Sequence, residues 1–289
     1  DMFVWGGRAN GIAIASGARY NPVTADWVPV LPPSAPEYQP SYKHVAVWTG
    51  NELLVWGGYT AADADTTPVL TNRGWRYDSI SDSWTTMSAE SAPSARLEPV
   101  AEWSGTELLI WGGKDANGNL LEDGARYNPA TDSWSPMTGL GAPQSNGHPS
   151  AGAWTGSELI AWNGGALHGG QRSSTGFREP TLHLYDPATD SWRVSQSGWE
   201  PLLIAQSIYG GSSDVSLHWA GDRLIAAGGS SSAGIWAYDP VSDSWQELNR
   251  NGGRFGYRRE AAIWAGDRLL RWGGVINVLA TRSGKVFVP

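Results

Sequence analysis

Short apolar runs separated by turn residues recur along the whole chain. In segment 94–134, apolar residues lead up to Trp103, fill 108–111, recur around Tyr127 and end at Trp134, with Gly, Pro, Ser or Asp residues between them. Runs this short, bounded by turn residues, are typical of strands, and four of them predict one antiparallel four-stranded sheet. The same unit recurs about six times, which predicts an all-β fold made of repeated sheets.

Three marker residues define the repeat. Six second strands end at a Gly-Gly pair, five third strands carry a Tyr, and a Trp follows each of those Tyr residues seven positions later. The Gly-Gly pairs begin at Gly6, Gly57, Gly112, Gly164, Gly228 and Gly273. Their spacing of 45 to 64 residues lies in the range of radially repeated propeller blades.

These markers resemble the kelch repeat, whose blades carry a Gly-Gly after a strand and a downstream Tyr and Trp. The phrase Trp-Thr-Gly-Asn-Glu-Leu-Leu-Val-Trp-Gly-Gly at 48–58 is similar to bacterial kelch-like proteins in particular. The resemblance covers nearly the whole chain and implies a six-bladed kelch-like β-propeller. Its motifs specify a fold and leave the activity open.

The repeat boundaries predict a single propeller over 1–289. The predicted blades are blade 1 at 1–27, blade 2 at 41–84, blade 3 at 94–134, blade 4 at 147–192, blade 5 at 212–245 and blade 6 at 257–289. In this scheme the first blade lacks its inner strand and the last blade lacks its outer strand. We therefore expect a fragment or an unusual closure, and unpaired terminal strands that favour dimerisation.

Charge and composition narrow the function classes. A net charge of −8 with no Lys/Arg cluster argues against a nucleic-acid-binding surface. No apolar run reaches the length of about 18 residues expected of a membrane span. The absence of cysteine excludes disulfides and thiolate metal sites, and it is compatible with an exported bacterial protein. We accordingly expect an extracellular or periplasmic location.

The segments that lead into the inner strands carry the first candidate site. In a propeller these lead-in segments converge around one mouth of the central channel, and here their residues differ from blade to blade. The predicted ligand-binding residues at this mouth are Lys43, His44, Arg96, Glu98, His148, Asp214, Arg258, Arg259 and Glu260. Such a mixed-charge ring could hold a small anionic or hydroxyl-rich ligand, with Arg as a bidentate clamp. The alternative is a set of solvated loop ends with local ion pairs.

Two aromatic residues extend the candidate site to the loops of blades 4 and 5. Trp199 has no equivalent in the other repeats, whereas we expect the other 17 tryptophans to pack in the core. Trp199 and Tyr209 lie in segment 195–214, which, with loop 166–180, departs furthest from the repeat. Long insertions on a repeat scaffold often carry binding surfaces. An unpaired aromatic side chain can equally serve to anchor its loop.

These observations favour a binding or interaction module with a protein or carbohydrate partner at the mouth and the blade 4/5 loops. One alternative is a carbohydrate-active enzyme of mutarotase, lyase or glycosidase type that uses the acidic and basic residues of the mouth. Another is a structural or engineered scaffold without a ligand. The sequence identifies no catalytic residue and predicts no cofactor and no metal. Segment 115–119 begins like a calcium loop, but Leu120 and Arg126 stand where Gly and Glu are expected.

Overall fold

The protein is described by a computed structural model over residues 2–21, 23–61, 67–143, 151–163, 181–195, 215–228 and 235–249. For 261–264, 269–272, 275–276, 279–280 and 284–287 the structure describes the strand backbone. Every regular element in these ranges is a β-strand, so the predicted all-β class is confirmed. Within them, no helix is long and apolar enough to span a membrane.

The chain forms two compact units, residues 1–137 and residues 138–289. The strands of unit 1 are β1 (Met2–Trp5), β2 (Arg8–Ala9), β3 (Ile12–Ala13), β4 (Gly17–Asn21), β5 (Asp26–Val30), β6 (Ser41–Tyr42), β7 (Val45–Trp48), β8 (Glu52–Trp56), β9 (Tyr59–Thr60), β10 (Val69–Leu70), β11 (Gly74–Asp78), β12 (Ser83–Thr86), β13 (Val100–Trp103), β14 (Leu108–Trp111), β15 (Gly124–Asn128) and β16 (Ser133–Pro136).

Three main antiparallel sheets make up unit 1. The first is three-stranded with the order β1-β4-β5, the second has the order β7-β8-β11-β12, and the third has the order β13-β14-β15-β16. Two smaller pairings accompany them, a β2-β3 hairpin and a β6-β9-β10 sheet. The first sheet thus begins at its second strand, as the repeat pattern predicts.

Unit 2 repeats the same architecture. Its strands are β17 (Gly152–Trp154), β18 (Leu159–Asn163), β19 (Thr181–Asp186), β20 (Ser191–Val194), β21 (Val215–Trp219), β22 (Leu224–Gly228), β23 (Ile235–Asp239), β24 (Ser244–Asn249), β25 (Ala261–Trp264), β26 (Leu269–Trp272), β27 (Val275–Ile276), β28 (Leu279–Ala280) and β29 (Gly284–Phe287). They form a fourth sheet, β17-β18-β19-β20, a fifth, β21-β22-β23-β24, and a three-stranded sixth, β25-β26-β29, with a β27-β28 hairpin. A single closed ring of six blades remains a prediction.

The second strands of the second and third sheets, β8 and β14, are largely apolar and almost entirely buried. Strand β14 is fully buried, and Leu108 pairs with Tyr127, which in turn pairs with Trp134. A cluster of buried residues joins the second and third sheets: Leu54, Trp56, Met87, Leu108, Ile110, Ala125, Tyr127 and Trp134. An equivalent cluster joins the fourth and fifth sheets in unit 2. Each sheet therefore depends on its neighbour for its core.

The Tyr and Trp markers hold the linker that arrives from the preceding sheet. Asp132 accepts a hydrogen bond from Tyr127 at 2.5 Å and another from the Ser88 backbone amide at 2.9 Å. The indole Nε1 of Trp134 donates to the Ser88 carbonyl at 2.8 Å. We call this Tyr, Asp and Trp set the outer-turn clamp. The clamp ties the linker of one sheet to the outer turn of the next.

The outer-turn clamp recurs in unit 2. Tyr185 donates to Asp190 at 2.6 Å, and Asp190 accepts from the Thr138 amide at 3.0 Å. Trp192 donates to the Thr138 carbonyl at 2.9 Å. In the fifth sheet, burial and the neighbouring carboxylate raise the pKa of the clamp tyrosine Tyr238 to about 12, so its hydroxyl stays a donor at neutral pH.

The first sheet departs from this pattern. Ala25 stands where the other clamps carry Asp, and the clamp tryptophan Trp27 is 52 % exposed. Met2 and Val4 on β1 are exposed to a similar extent. The expectation that Trp27 packs in the core is therefore wrong. The physical reason is that, among the described residues of unit 1, no sheet precedes the first one to cover this face.

Candidate functional site

The second glycine of the Gly-Gly pair shapes the lead-in segment of the inner strand. Gly58 and Gly113 have φ of +85° and +91°. A Cβ on Gly58 would lie 2.5 Å from the Tyr42 carbonyl oxygen, and a Cβ on Gly113 would lie 2.5 Å from the Leu97 carbonyl oxygen. Only glycine combines this backbone conformation with so close an approach. The Gly-Gly exit and the lead-in segment are thereby packed backbone to backbone.

Backbone pairing then fixes each lead-in segment. In the third sheet, Leu97 and Lys114 exchange two backbone hydrogen bonds of 2.9 Å. In the second sheet, β6 pairs with β9 at the same place. The next residue in each lead-in segment is left-handed, with φ of +56° at Lys43 and +52° at Glu98. Such backbone costs on the order of 1–3 kcal/mol and persists where the surrounding structure imposes it.

The two left-handed residues and one neighbour form what we call the lead-in charge cluster, namely Lys43, Glu98 and Lys114. The ammonium of Lys43 lies 3.7 Å from Glu98 Oε1, and that of Lys114 lies 3.6 Å from Glu98 Oε2. The side chains of Lys43 and Glu98 are 53 % and 41 % exposed. Exposed pairs at such distances contribute about 0–1 kcal/mol. The charges of Lys43 and Glu98 are therefore held near each other but remain accessible.

Arg96, predicted as a ligand clamp, has a structural role. Its side chain is buried, and its guanidinium donates to the carbonyl oxygens of Gly112 and Asp123, both at 2.9 Å. It also donates to the Ser94 carbonyl and forms an ion pair of 3.0 Å with Asp123. Burial lowers the pKa of Arg96, and Asp123 opposes that shift. Because these donors serve the third sheet, Arg96 is not part of the accessible surface.

His44 lies in the lead-in segment of the second sheet but is largely packed. Its Nδ1 donates to the Ser41 carbonyl at 2.9 Å. A Cβ on Gly6 would lie 2.6 Å from its Cε1, so the ring sits against the Gly-Gly pair of the first sheet. Burial lowers the pKa of His44, and backbone bonds to Ser41 and Trp5 partly offset that effect. His44 therefore supports the segment on which Lys43 stands.

Comparison with protein families gives a match over most of the chain. The model of the KLHDC2/KLHL20/DRC7 Kelch-repeats domain matches residues 1–229. This chain belongs to the kelch-repeat family. No curated protein matches it. Kelch-repeat domains are in general binding and protein-interaction modules, so the chain is a binding module in that sense.

The remaining predicted site residues lie outside the described part of this kelch chain. They are His148, Trp199, Tyr209, Asp214, Arg258, Arg259 and Glu260. Of the mouth residues that the structure describes, it brings Lys43 and Glu98 together, as expected if equivalent lead-in segments of neighbouring kelch repeats converge. Sequence reasoning missed Lys114, although its position directly after a Gly-Gly pair is a signal that could have identified it.

The calcium-like loop at 115–119 is a hydrogen-bonded turn. The Asp115 carboxylate accepts from the backbone amides of Asn117 and Asn119 and from the Asn119 side chain, each at 2.8 Å. These hydrogen bonds, led by that of the Asn119 side chain, lower the pKa of Asp115. Across the described ranges, no group of three or more His, Asp or Glu side chains is arranged to hold a metal ion.

Proposed function

We propose that this kelch-repeat protein binds a protein partner through the lead-in charge cluster. The observation that carries the proposal is the placement of Lys43, Glu98 and Lys114 within 3.6–3.7 Å contacts across two neighbouring sheets, with Lys43 and Glu98 open to solvent. The Gly-Gly exits pack closely against the two lead-in segments, so the charges stand on backbone that is held by neighbouring backbone.

The small contribution of the cluster's ion pairs to stability is compatible with a role in binding a partner. These pairs contribute little to folding, so a partner's charges can replace them at low cost. Exposed interface charges chiefly steer association and fix orientation.

The sign pattern supports a protein over a carbohydrate. The cluster alternates positive, negative and positive charge. A protein surface offers side chains of both signs to match it, whereas a neutral sugar offers none. The partner surface that fits would present acidic groups on both sides of a basic group.

The proposal is tested by capture with matched variants. Beads carrying the wild type, or the variant Lys43→Ser/Glu98→Ser/Lys114→Ser, are incubated with extract from the source cells, and retained proteins are identified by mass spectrometry. We expect proteins that the wild type retains and the variant does not. The control is Glu158→Ser/Arg193→Ser, which removes an exposed 2.8 Å pair on the fourth sheet.

Kinetics with the purified partner then check the mechanism. The triple variant should associate about tenfold more slowly at low salt with a nearly unchanged dissociation rate, as expected for exposed interface charges. Equal retention by wild type and triple variant would refute the site. A glycan array that the wild type binds and the triple variant does not would redirect the proposal to a carbohydrate.

A further inference from the structure

A small cavity opens between the first and second sheets of unit 1. Its volume is about 20 Å³, enough for one water-sized group. Aromatic side chains form much of its wall: Trp5, Tyr38, Trp75 and Trp84. The polar residues that line it are Gln39, Ser41, Thr60, Thr71 and Arg73. We call it the Ser41 pocket.

Comparison with the third sheet explains why the Ser41 pocket exists. Ser41 lies seven residues before Trp48, and Arg96 lies seven residues before Trp103, so the two positions are equivalent. In the third sheet the guanidinium of Arg96 is buried in the sheet interior and pairs with Asp123. In the second sheet a serine hydroxyl replaces that long side chain, and the space is left open.

The charge at the edge of the Ser41 pocket is opposite to the charge at the equivalent position of the third sheet. Asp123 directly precedes the third strand of its sheet, and Arg73 directly precedes the equivalent strand, β11. The third sheet therefore has a cation inside and a carboxylate at its edge, whereas the second sheet has a cavity and a cation at its edge. Arg73 is exposed, and no carboxylate of the described residues forms an ion pair with it.

The lining can supply hydrogen bonds as well as charge. Thr60 donates to the Val69 carbonyl, and Thr71 accepts from the Arg73 amide, so both are engaged locally. The side chains of Gln39 and Ser41 make no hydrogen bond to other described residues, which leaves an amide and a hydroxyl as donors. Arg73 is the only charged residue in the described lining. The chemistry complementary to this set is a small anion attached to an apolar stem.

We propose that the mouth of the Ser41 pocket binds the carboxylate of an Asp or Glu side chain from a protein partner, with one carboxylate oxygen in the cavity. Arg73, which is exposed, would bind the carboxylate with charge-assisted hydrogen bonds. This inference rests on the proposed protein-binding function and adds an acceptor site for one acidic residue. It reproduces, between two chains and with the signs exchanged, the ion pair that Arg96 makes within the third sheet.

The test selects random peptides displayed on phage against the purified wild type. Enriched peptides should share an Asp or Glu, and synthetic copies with that residue changed to Asn or Gln should bind about tenfold to a hundredfold more weakly, as expected for a hydrogen bond to a charged group. The variant Arg73→Gln should weaken the original peptides by a similar factor. The matched control is Arg8→Gln, whose guanidinium lies over the Tyr42 ring.

A second variant fills the pocket. Ser41→Arg/Arg73→Asp recreates the third-sheet arrangement and should abolish peptide binding while keeping a cooperative unfolding transition. If this double variant does not fold, Arg73→Gln alone decides the question. Peptides without a shared acid, equal binding to wild type and Arg73→Gln, or no enrichment on the wild type would each overturn the pocket proposal.

The two proposals fail in distinguishable ways. The triple variant Lys43→Ser/Glu98→Ser/Lys114→Ser keeps the Ser41 pocket intact. Partner capture lost in the triple variant and unchanged in Arg73→Gln supports the lead-in charge cluster and refutes the pocket. Peptide binding lost in Arg73→Gln while partner capture is unchanged in the triple variant supports the pocket and refutes the cluster.

Discussion

At the scale of single residues, equivalent positions of the repeat hold different side chains in different environments. Arg96 and Ser41 occupy the same place in neighbouring sheets, yet one is a buried cation and the other lines a cavity. A buried guanidinium is tolerated only where its donors are satisfied, and Arg96 meets that condition through carbonyl oxygens and Asp123. Arg96 therefore links the lead-in segment of the third sheet to its Gly-Gly exit.

The substitution Arg96→Ala should lower the free energy of unfolding by about 1–3 kcal/mol, because it leaves buried carbonyl oxygens without donors. Urea denaturation followed by tryptophan fluorescence measures the change. The control Arg223→Ala removes an exposed pair and should leave the unfolding midpoint unchanged. A similar midpoint for Arg96→Ala and wild type would contradict the structural role of Arg96.

The sequence could not reveal this role. Arginine is almost never fully buried, so a polar residue just before a strand is reasonably taken as exposed. Its partner Asp123 lies 27 positions later, and their contact depends on how the two loops fold back on each other. By contrast, the proximity of Lys43 and Glu98 followed from their equivalent positions in neighbouring repeats.

At the scale of elements, the Gly-Gly pair connects the exit of one strand to the lead-in segment of another. Its second glycine gives the backbone the room that the lead-in segment occupies, and that segment in turn carries an exposed charge. The turn between the first two strands also contains a left-handed glycine, for example Gly105, but nothing lies within 4 Å of a Cβ at that position. The two kinds of glycine can therefore be separated by experiment.

The substitution Gly113→Ala should destabilise the protein more than Gly105→Ala. Both place alanine in left-handed backbone, at a cost of roughly 1 kcal/mol. Gly113→Ala additionally forces a Cβ to within 2.5 Å of the Leu97 carbonyl, so the lead-in segment must shift. Thermal unfolding of the two variants measures the difference. Equal losses would mean that the close approach at Gly113 has no energetic consequence.

At the scale of the whole molecule, neighbouring sheets of unit 1 cover each other: the first sheet packs against the second, and the second packs against the third. Val30 of the first sheet is buried with Leu53, Val55 and Tyr77 of the second. The opposite face of the first sheet has no such cover among the described residues of unit 1, and its Trp27 is half exposed while the equivalent Trp134 is 5 % exposed. The same marker residue thus has two environments, according to the position of its sheet in the series.

The substitution Trp134→Ala should lower the free energy of unfolding by about 3–5 kcal/mol, as for other buried aromatic side chains. Trp27→Ala should lower it by less, about 1–2 kcal/mol, because only half of the Trp27 side chain is buried, with its ring against Tyr20. Urea denaturation measures both. Comparable losses of stability would contradict the difference in burial.

Much of the strand pattern could be predicted because the repeat marks its own boundaries. The inner strands end at tryptophans such as Trp48 and Trp103, as the pattern predicts. The exposure of Trp27 could not be read from the repeat, since it depends on whether another sheet of unit 1 covers that face. The Ser41 pocket could not be predicted for a related reason: it exists because Ser41 is smaller than Arg96, the residue at the equivalent position of the next repeat.

The outer-turn clamp also determines which residues a duplicated repeat must include. Ser88 follows the second sheet in sequence, but Asp132 and Trp134 of the third sheet hold it. A gene duplication that copied only the four strands of a sheet would separate the preceding linker from the side chains that bind it. A copy of residues 88–136 would carry the linker, the clamp and the complete third sheet together. A unit that keeps these contacts therefore consists of a sheet together with the linker that precedes it.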